Sequence, residues 1–182
     1  MVLGKNKLHI YLSECASSCR KRSNKKMVSE LIDETEIQAP AAKVWEIYGT
    51  VEFGNFLLHH VPHVVQKIEF LEGNGGEGTL LYVTFAPGVG GVRYKEKFTK
   101  VDNENRIKIA EMVEGGYLDL GFTLYRFRFE IIEKNEESCI VKSSVQYELK
   151  EEAASNASLA TVQPLKEVAQ AVNNYFLNKS TA

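Results

Sequence analysis

Six segments with strand character follow one another between residues 64 and 150, and no helix-length pattern separates any two of them. They run over Val64–Glu72, Thr79–Ala86, Val92–Asp102, Arg106–Glu114, Gly121–Lys134 and Ser138–Lys150. Short punctuation such as Gly73-Asn74-Gly75-Gly76 and Asp102-Asn103-Glu104-Asn105 joins them. Parallel neighbours need a crossover of about a dozen residues or more, so this spacing dictates an antiparallel meander. The pattern then changes. Leu165, Val168, Ala169, Val172 and Phe176 recur at i, i+3, i+4, i+7 and i+11, the signature of an amphipathic helix that needs an apolar partner. One long helix and one long meander must therefore cover each other. A strongly twisted sheet gripping a helix rarely closes without a gap, and such gaps hold small ligands.

Ahead of the meander, Ser29–Gln38 reads as a further strand, making seven. Ala39-Pro40 then opens a short helix with Val44, Trp45 and Tyr48 on its apolar side, since proline at a helix start gives up only an orphan N–H. Val51–His60 reads as a second short helix ending before Pro62. The fold class expected is α+β: a curved seven-stranded antiparallel sheet around a long C-terminal helix, with two short helices and an internal hydrophobic cavity. With 182 residues, 44% of them apolar, one domain can bury a core of useful size.

Charge is unevenly placed. Seven basic residues and one acid precede Met27, which leaves 15 basic against 23 acidic residues from Met27 onward. A domain of that sign repels phosphate backbones, so nucleic acid is not an expected partner. No apolar run approaches the roughly 18 to 20 residues that span a bilayer, and a cytoplasmic protein is expected. Residues 1–26 read as a disordered basic extension, since His9, Ser13 and Glu14 interrupt any signal-peptide core; a weak transit peptide, or a leader upstream of a start at Met27, is the alternative. Residues 27–182 then form the domain. Cys15, Cys19 and Cys139 are too few for a disulfide framework or a four-thiolate zinc site. His59, His60 and His63 lack an accompanying carboxylate at a ligand spacing, and no metal is expected. Gly73–Gly78 joins two strands and lacks a Gly-Lys-Ser/Thr ending, so a tight hairpin is expected there, not a phosphate cradle.

Alternation places a few polar side chains on the apolar face. In Arg93–Val101, Tyr94, Glu96 and Phe98 share the inner face. A carboxylate there is either paired for structure or held at a raised pKa for proton transfer. If Asn103-Glu104-Asn105 is a three-residue loop, Asp102 pairs with Arg106, and Tyr94, Glu96, Lys108 and Met112 come together inside; a two-residue loop would turn Lys108 outward. Thr123, Tyr125, Phe127, Phe129 and Ile131 form the next inner face, and Val141, Ser143, Val145, Tyr147 and Leu149 the last. An aromatic surface with a few hydroxyls and one Glu/Lys pair suits phenols, flat amines and hormone-like rings.

Four stretches carry a resemblance: Glu72–Thr79, Tyr94-Lys95-Glu96-Lys97-Phe98, Val101-Asp102-Asn103-Glu104 and Glu114–Gly121. Over about residues 28–177 the sequence resembles the norcoclaurine synthases of the Bet v 1 superfamily, the birch-pollen-allergen-like, class-ten pathogenesis-related plant proteins. Ala154–Thr161 also resembles norbelladine synthases on the same fold. The resemblance implies the helix-grip (Bet v 1-like) fold and a cofactor-independent condensation of an aromatic ethylamine, of dopamine or tyramine type, with an aromatic aldehyde. The chemistry would be Pictet–Spengler or imine-forming, as in plant alkaloid biosynthesis. It implies Lys108 as proton donor, Glu96 as base and Tyr94 as the shaping tyrosine, with Tyr125, Phe127, Phe98, Met112, Val83 and Phe85 as substrate-binding residues. Phe127 stands where the synthases carry an aspartate that assists proton handling. The alternative is a non-catalytic carrier or storage protein for plant hormones, flavonoids or alkaloids. Either way the expected partners are small molecules, the chain being a monomer or weak dimer without membrane association.

Overall fold

A computed structural model describes residues 28–87 and 93–180. The disordered extension expected over residues 1–26, with Cys15 and Cys19, lies outside the described residues, as does the start of the third segment at Val92.

Seven antiparallel strands form one sheet: β1 (Ser29–Ile37), β2 (Val65–Glu72), β3 (Leu80–Phe85), β4 (Arg93–Asp102), β5 (Ile107–Gly115), β6 (Phe122–Asn135) and β7 (Ser138–Leu149). Their order across the sheet is β1-β7-β6-β5-β4-β3-β2, so the first two strands of the chain lie at opposite edges. The helices α1 (Ala41–Tyr48) and α2 (Glu52–His60) bridge those edges. The long helix α3 (Gln163–Ser180) lies against β1 and β7. Single 3₁₀ stretches occupy Gly116–Leu120 and Glu151–Leu159, where the sequence carries no periodic signal.

Pro40 caps α1 from outside rather than opening it: its carbonyl accepts from Lys43 N at 2.9 Å and Val44 N at 3.2 Å. Val44, Trp45 and Tyr48 bury the apolar side as the spacing predicts. The Trp45 indole donates to Asn103 Oδ1 at 3.0 Å, tying α1 to the β4–β5 turn. On α3, Val168, Ala169 and Val172 are buried in the core, each valine adding about 1.5 to 3 kcal/mol of burial. Gln38 N donates to Asn173 Oδ1 at 2.9 Å, and Lys166 pairs with Asp33 at 3.4 Å, fixing this helix to the β1 side.

Two register findings differ from the sequence expectation. The β4–β5 turn has four residues, with Asp102 opposite Ile107, and Arg106 takes a left-handed φ of 53°. That length alone would reverse the faces. An extra β4 residue at Thr99 reverses them again, so Phe98 pairs with Ala110 and Glu96 with Met112. At the start of β6 a second irregularity falls between Phe122 and Leu124, and Phe122, not Thr123, points into the core. A bulge shifts the two-residue alternation by one, which no strand pattern reveals in advance.

Candidate functional site: a polar pair inside an aromatic cavity

The inner faces of β3 to β6 and the facing sides of α2 and α3 enclose a cavity of about 540 Å³, within the range of small-molecule sites. Leu81, Val83 and Phe85 come from β3, Phe53 and Leu57 from α2, and Leu165 and Val168 from α3. Among the described residues, three charged side chains reach its wall: Glu96, Lys108 and Glu167.

The bulge at Thr99 brings Glu96 and Lys108 to the same surface. Lys108 is 2% exposed; its amine donates to the carbonyl of Tyr48 at 3.2 Å, at the last residue of α1, and lies 4.0 Å from the Phe98 ring centroid. A helix C-terminus and an aromatic face both favour a cation, yet burial outweighs them: desolvation lowers the Lys108 pKa to about 8, opposed by the charge of Glu96. For Glu96, desolvation raises the carboxyl to about 7, opposed by Lys108 and by a hydrogen bond from Tyr94. The surface Glu96 leaves open is cavity wall, which explains how a partly accessible group is strongly desolvated. Tyr94 is 4% exposed, and burial followed by the neighbouring Glu96 pushes its hydroxyl well above the ordinary range. It therefore donates its proton to Glu96 and does not release it.

The walls are aromatic. Tyr94 lies 5.0 Å from Phe85 and 6.4 Å from Phe127, and Tyr125 meets Phe127 edge-on at 5.5 Å. Tyr117, in the 3₁₀ stretch after β5, stacks on Tyr125 at 4.1 Å with the planes 2° apart. Tyr94, Glu96, Lys108, Phe98, Val83, Phe85, Tyr125 and Phe127 all line the cavity. Met112, expected as a substrate contact, is buried but absent from that lining. It shares the inner face with Glu96, but its sulfur packs where a Gly116 side chain would lie.

Glu167, Gln163, Thr161, Tyr117 and Phe53 also line the cavity, unforeseen from the sequence. Only the helix carried a usable signal, since Gln163 and Glu167 flank the apolar stripe of α3 four residues apart. Among the described residues no group of three His, Cys, Asp or Glu side chains is placed to hold a metal. His59 turns to the Asn55 carbonyl, His60 stacks on Phe56 and His63 faces Glu167. No helix among the described residues is long and apolar enough to cross a membrane.

An antiparallel sheet gripping one long helix over an aromatic cavity with an internal Glu/Lys pair defines a helix-grip protein. The chain belongs to the pathogenesis-related protein Bet v 1 family, whose profile matches residues 26–179. It is similar to norbelladine synthase of Narcissus pseudonarcissus, 45% identical over 85% of this chain and 96% of that protein. It is also similar to S-norcoclaurine synthase 1 of Papaver somniferum, 42% identical over 82% of this chain and 66% of that one. Among solved structures, norcoclaurine synthase from Thalictrum flavum in complex with dopamine and hydroxybenzaldehyde superposes with a TM-score of 0.75. It is 34% identical, over 96% of this chain and 98% of that one.

Proposed function

We propose that this protein condenses an arylethylamine with an aromatic aldehyde, without a cofactor, at Glu96 and Lys108. One observation carries the reading: a largely aromatic and aliphatic cavity holds a carboxylate raised to about 7 facing an ammonium lowered to about 8, each poised to exchange a proton near neutrality. The relatives named for the synthesis of norbelladine and norcoclaurine, and the bound dopamine and hydroxybenzaldehyde of the Thalictrum structure, support the substrate class.

The arylethylamine arrives as an ammonium ion. Glu96 takes one of its protons, freeing the lone pair, and the nitrogen adds to the aldehyde carbon to give a carbinolamine. Lys108 donates a proton to the departing hydroxyl, water leaves as the nitrogen lone pair forms the C=N bond, and the resulting iminium becomes the open imine when its N–H proton returns to Lys108. Ring closure would form a carbon–carbon bond from the arene to the imine carbon and release a ring proton. Glu96, once it has passed the amine's proton to solvent, is the carboxylate among the described residues on the inner wall near Tyr94 to receive it, since Phe127 offers no proton acceptor. The open imine is therefore the first product to look for.

Phe127 also favours a second reading, a carrier that binds aromatic molecules without turning them over, because it extends the apolar wall beside Tyr94 and Tyr125. Mass spectrometry of dopamine incubated with aryl aldehydes and the purified chain separates the two. The synthase reading expects a product at the sum of the substrate masses less one water, reducible by borohydride if open. Lys108→Met should lower its rate at least about a hundredfold, as loss of a general acid does. Product at the uncatalysed level in the parent protein leaves the carrier.

A further inference from the structure

Among the described residues, the charges on the cavity wall do not balance. Glu96 and Lys108 oppose each other inside, and each alters the other's ionisation. Glu167, the third, has no lysine or arginine partner among the described residues. Its carboxylate accepts from Gln163 Nε2 at 3.1 Å and faces His63 Nε2 at 3.3 Å. Its side chain is 35% exposed while still lining the cavity, which places it at the mouth, between α3 and the segment leading into β2.

Resting on the condensation reading for the identity of the ligand, we infer that Glu167 selects the amine substrate, holding its ammonium group at the mouth before the aromatic ring enters. Inside, a buried ammonium at Lys108 repels a second cation, and Glu96 must give up its charge to act on the amine. The anionic handhold accordingly stands away from the reacting centre, against low-dielectric walls where one charge acts further than in open water. The occupants Glu167 has now are displaceable. Gln163 is neutral, and His63 is exposed on a short connection. An alkylammonium brings a full charge and donors that a carboxylate prefers to an amide.

Two probes that share a ring and differ in the ammonium group test this on the full chain: tyramine and 4-ethylphenol, titrated by calorimetry at low and at high salt. Wild type should bind tyramine more tightly. Glu167→Gln, which keeps shape and hydrogen bonding, should weaken tyramine about fivefold and remove most of its salt dependence, with 4-ethylphenol within about twofold, the scale of a part-exposed ion pair. Glu167→Lys should weaken tyramine further, and near-ultraviolet circular dichroism should show both variants folded. In steady state Glu167→Gln should raise KM for the amine and not for the aldehyde, with kcat little changed. Equal losses for the two probes, or no loss for tyramine, overturn the assignment; so does a loss of tyramine discrimination in Glu96→Gln that Glu167→Gln does not share. If tyramine is selected through Glu167 yet no condensation product forms, the condensation reading falls and the amine site stands. If product forms and Glu167→Gln changes nothing, the reverse holds.

Discussion

Burial disfavours the charged forms of both Glu96 and Lys108, and on the proposed condensation the pair would set a narrow working range. A base must be ionised and an acid protonated at once. With Glu96 at about 7 and Lys108 at about 8, that combination peaks between those values. The pH dependence of kcat/KM for condensation should accordingly be bell-shaped with apparent limbs near them, belonging to the pair rather than to either group alone. Stability carries a related signature. Below about 8 the buried ammonium is charged at full cost, and between 8 and 10.5 the native state binds fewer protons than the unfolded chain, so the penalty is relieved as pH rises. That shift corresponds to about 3 kcal/mol. Lys108→Met removes the charge but leaves the Tyr48 carbonyl without its donor, a loss of about 1 kcal/mol or more, and Glu96, no longer facing a cation, takes up a proton. Thermal unfolding at pH 7 should show a midpoint a few degrees higher, while activity falls. A lower midpoint would mean the cation contributes net stability through Phe98 and the α1 terminus. On the condensation reading, function and stability would pull apart at this residue, as they do where a site is strained for its chemistry.

At the scale of elements, most of the architecture was legible because the sheet is long and its alternation regular. Strands β1 to β7 fall within a residue or so of the segments read from the sequence, and α3 follows from its apolar stripe. The inner placement of Lys108 was read correctly, but through a loop one residue too short and without the bulge at Thr99 that compensates. Thr123 was misplaced for a related reason. Irregularities leave no mark on hydrophobic pattern, since they are settled by pairing with a neighbouring strand. The 3₁₀ stretch carrying Tyr117 was illegible too, although Gly115-Gly116 marks its start. Gly116 has φ 58°, and a Cβ there would lie 2.7 Å from Met112 Sδ and 3.0 Å from Tyr94 Cβ. Gly116→Ala combines an unfavourable backbone with crowding against the β4 tyrosine, and should cost about 1 to 3 kcal/mol. Urea titration should show a lower midpoint at unchanged slope. The displaced Tyr94 should also weaken aromatic ligand binding; unaltered stability would show that Met112 yields freely.

For the whole molecule, a cavity of about 540 Å³ is packing the fold forgoes. Its lining rings lack partner atoms on the open side, and a ligand that enters restores those contacts. Saturating tyramine or another flat phenol should raise the thermal midpoint with concentration, by about 2.7 kcal/mol of stabilisation at a hundred times Kd. A midpoint indifferent to every aromatic probe would mean the space is not used. The Glu96/Lys108 pair and the aromatic lining were visible in the sequence because they lie on strands. Glu167 was not, because its importance depends on which flank of α3 faces the cavity, a fact of docking and not of period. Sheet order has a further consequence. β1 pairs with β7, so that Glu30 meets Gln146 across 116 residues of chain. During synthesis the first strand therefore leaves the ribosome with no neighbour, and waits until nearly the entire domain has followed it. The open sheet cannot be completed progressively from its N-terminal strand. β1 can enter the sheet only once β7 is available, against a large loop-closure entropy.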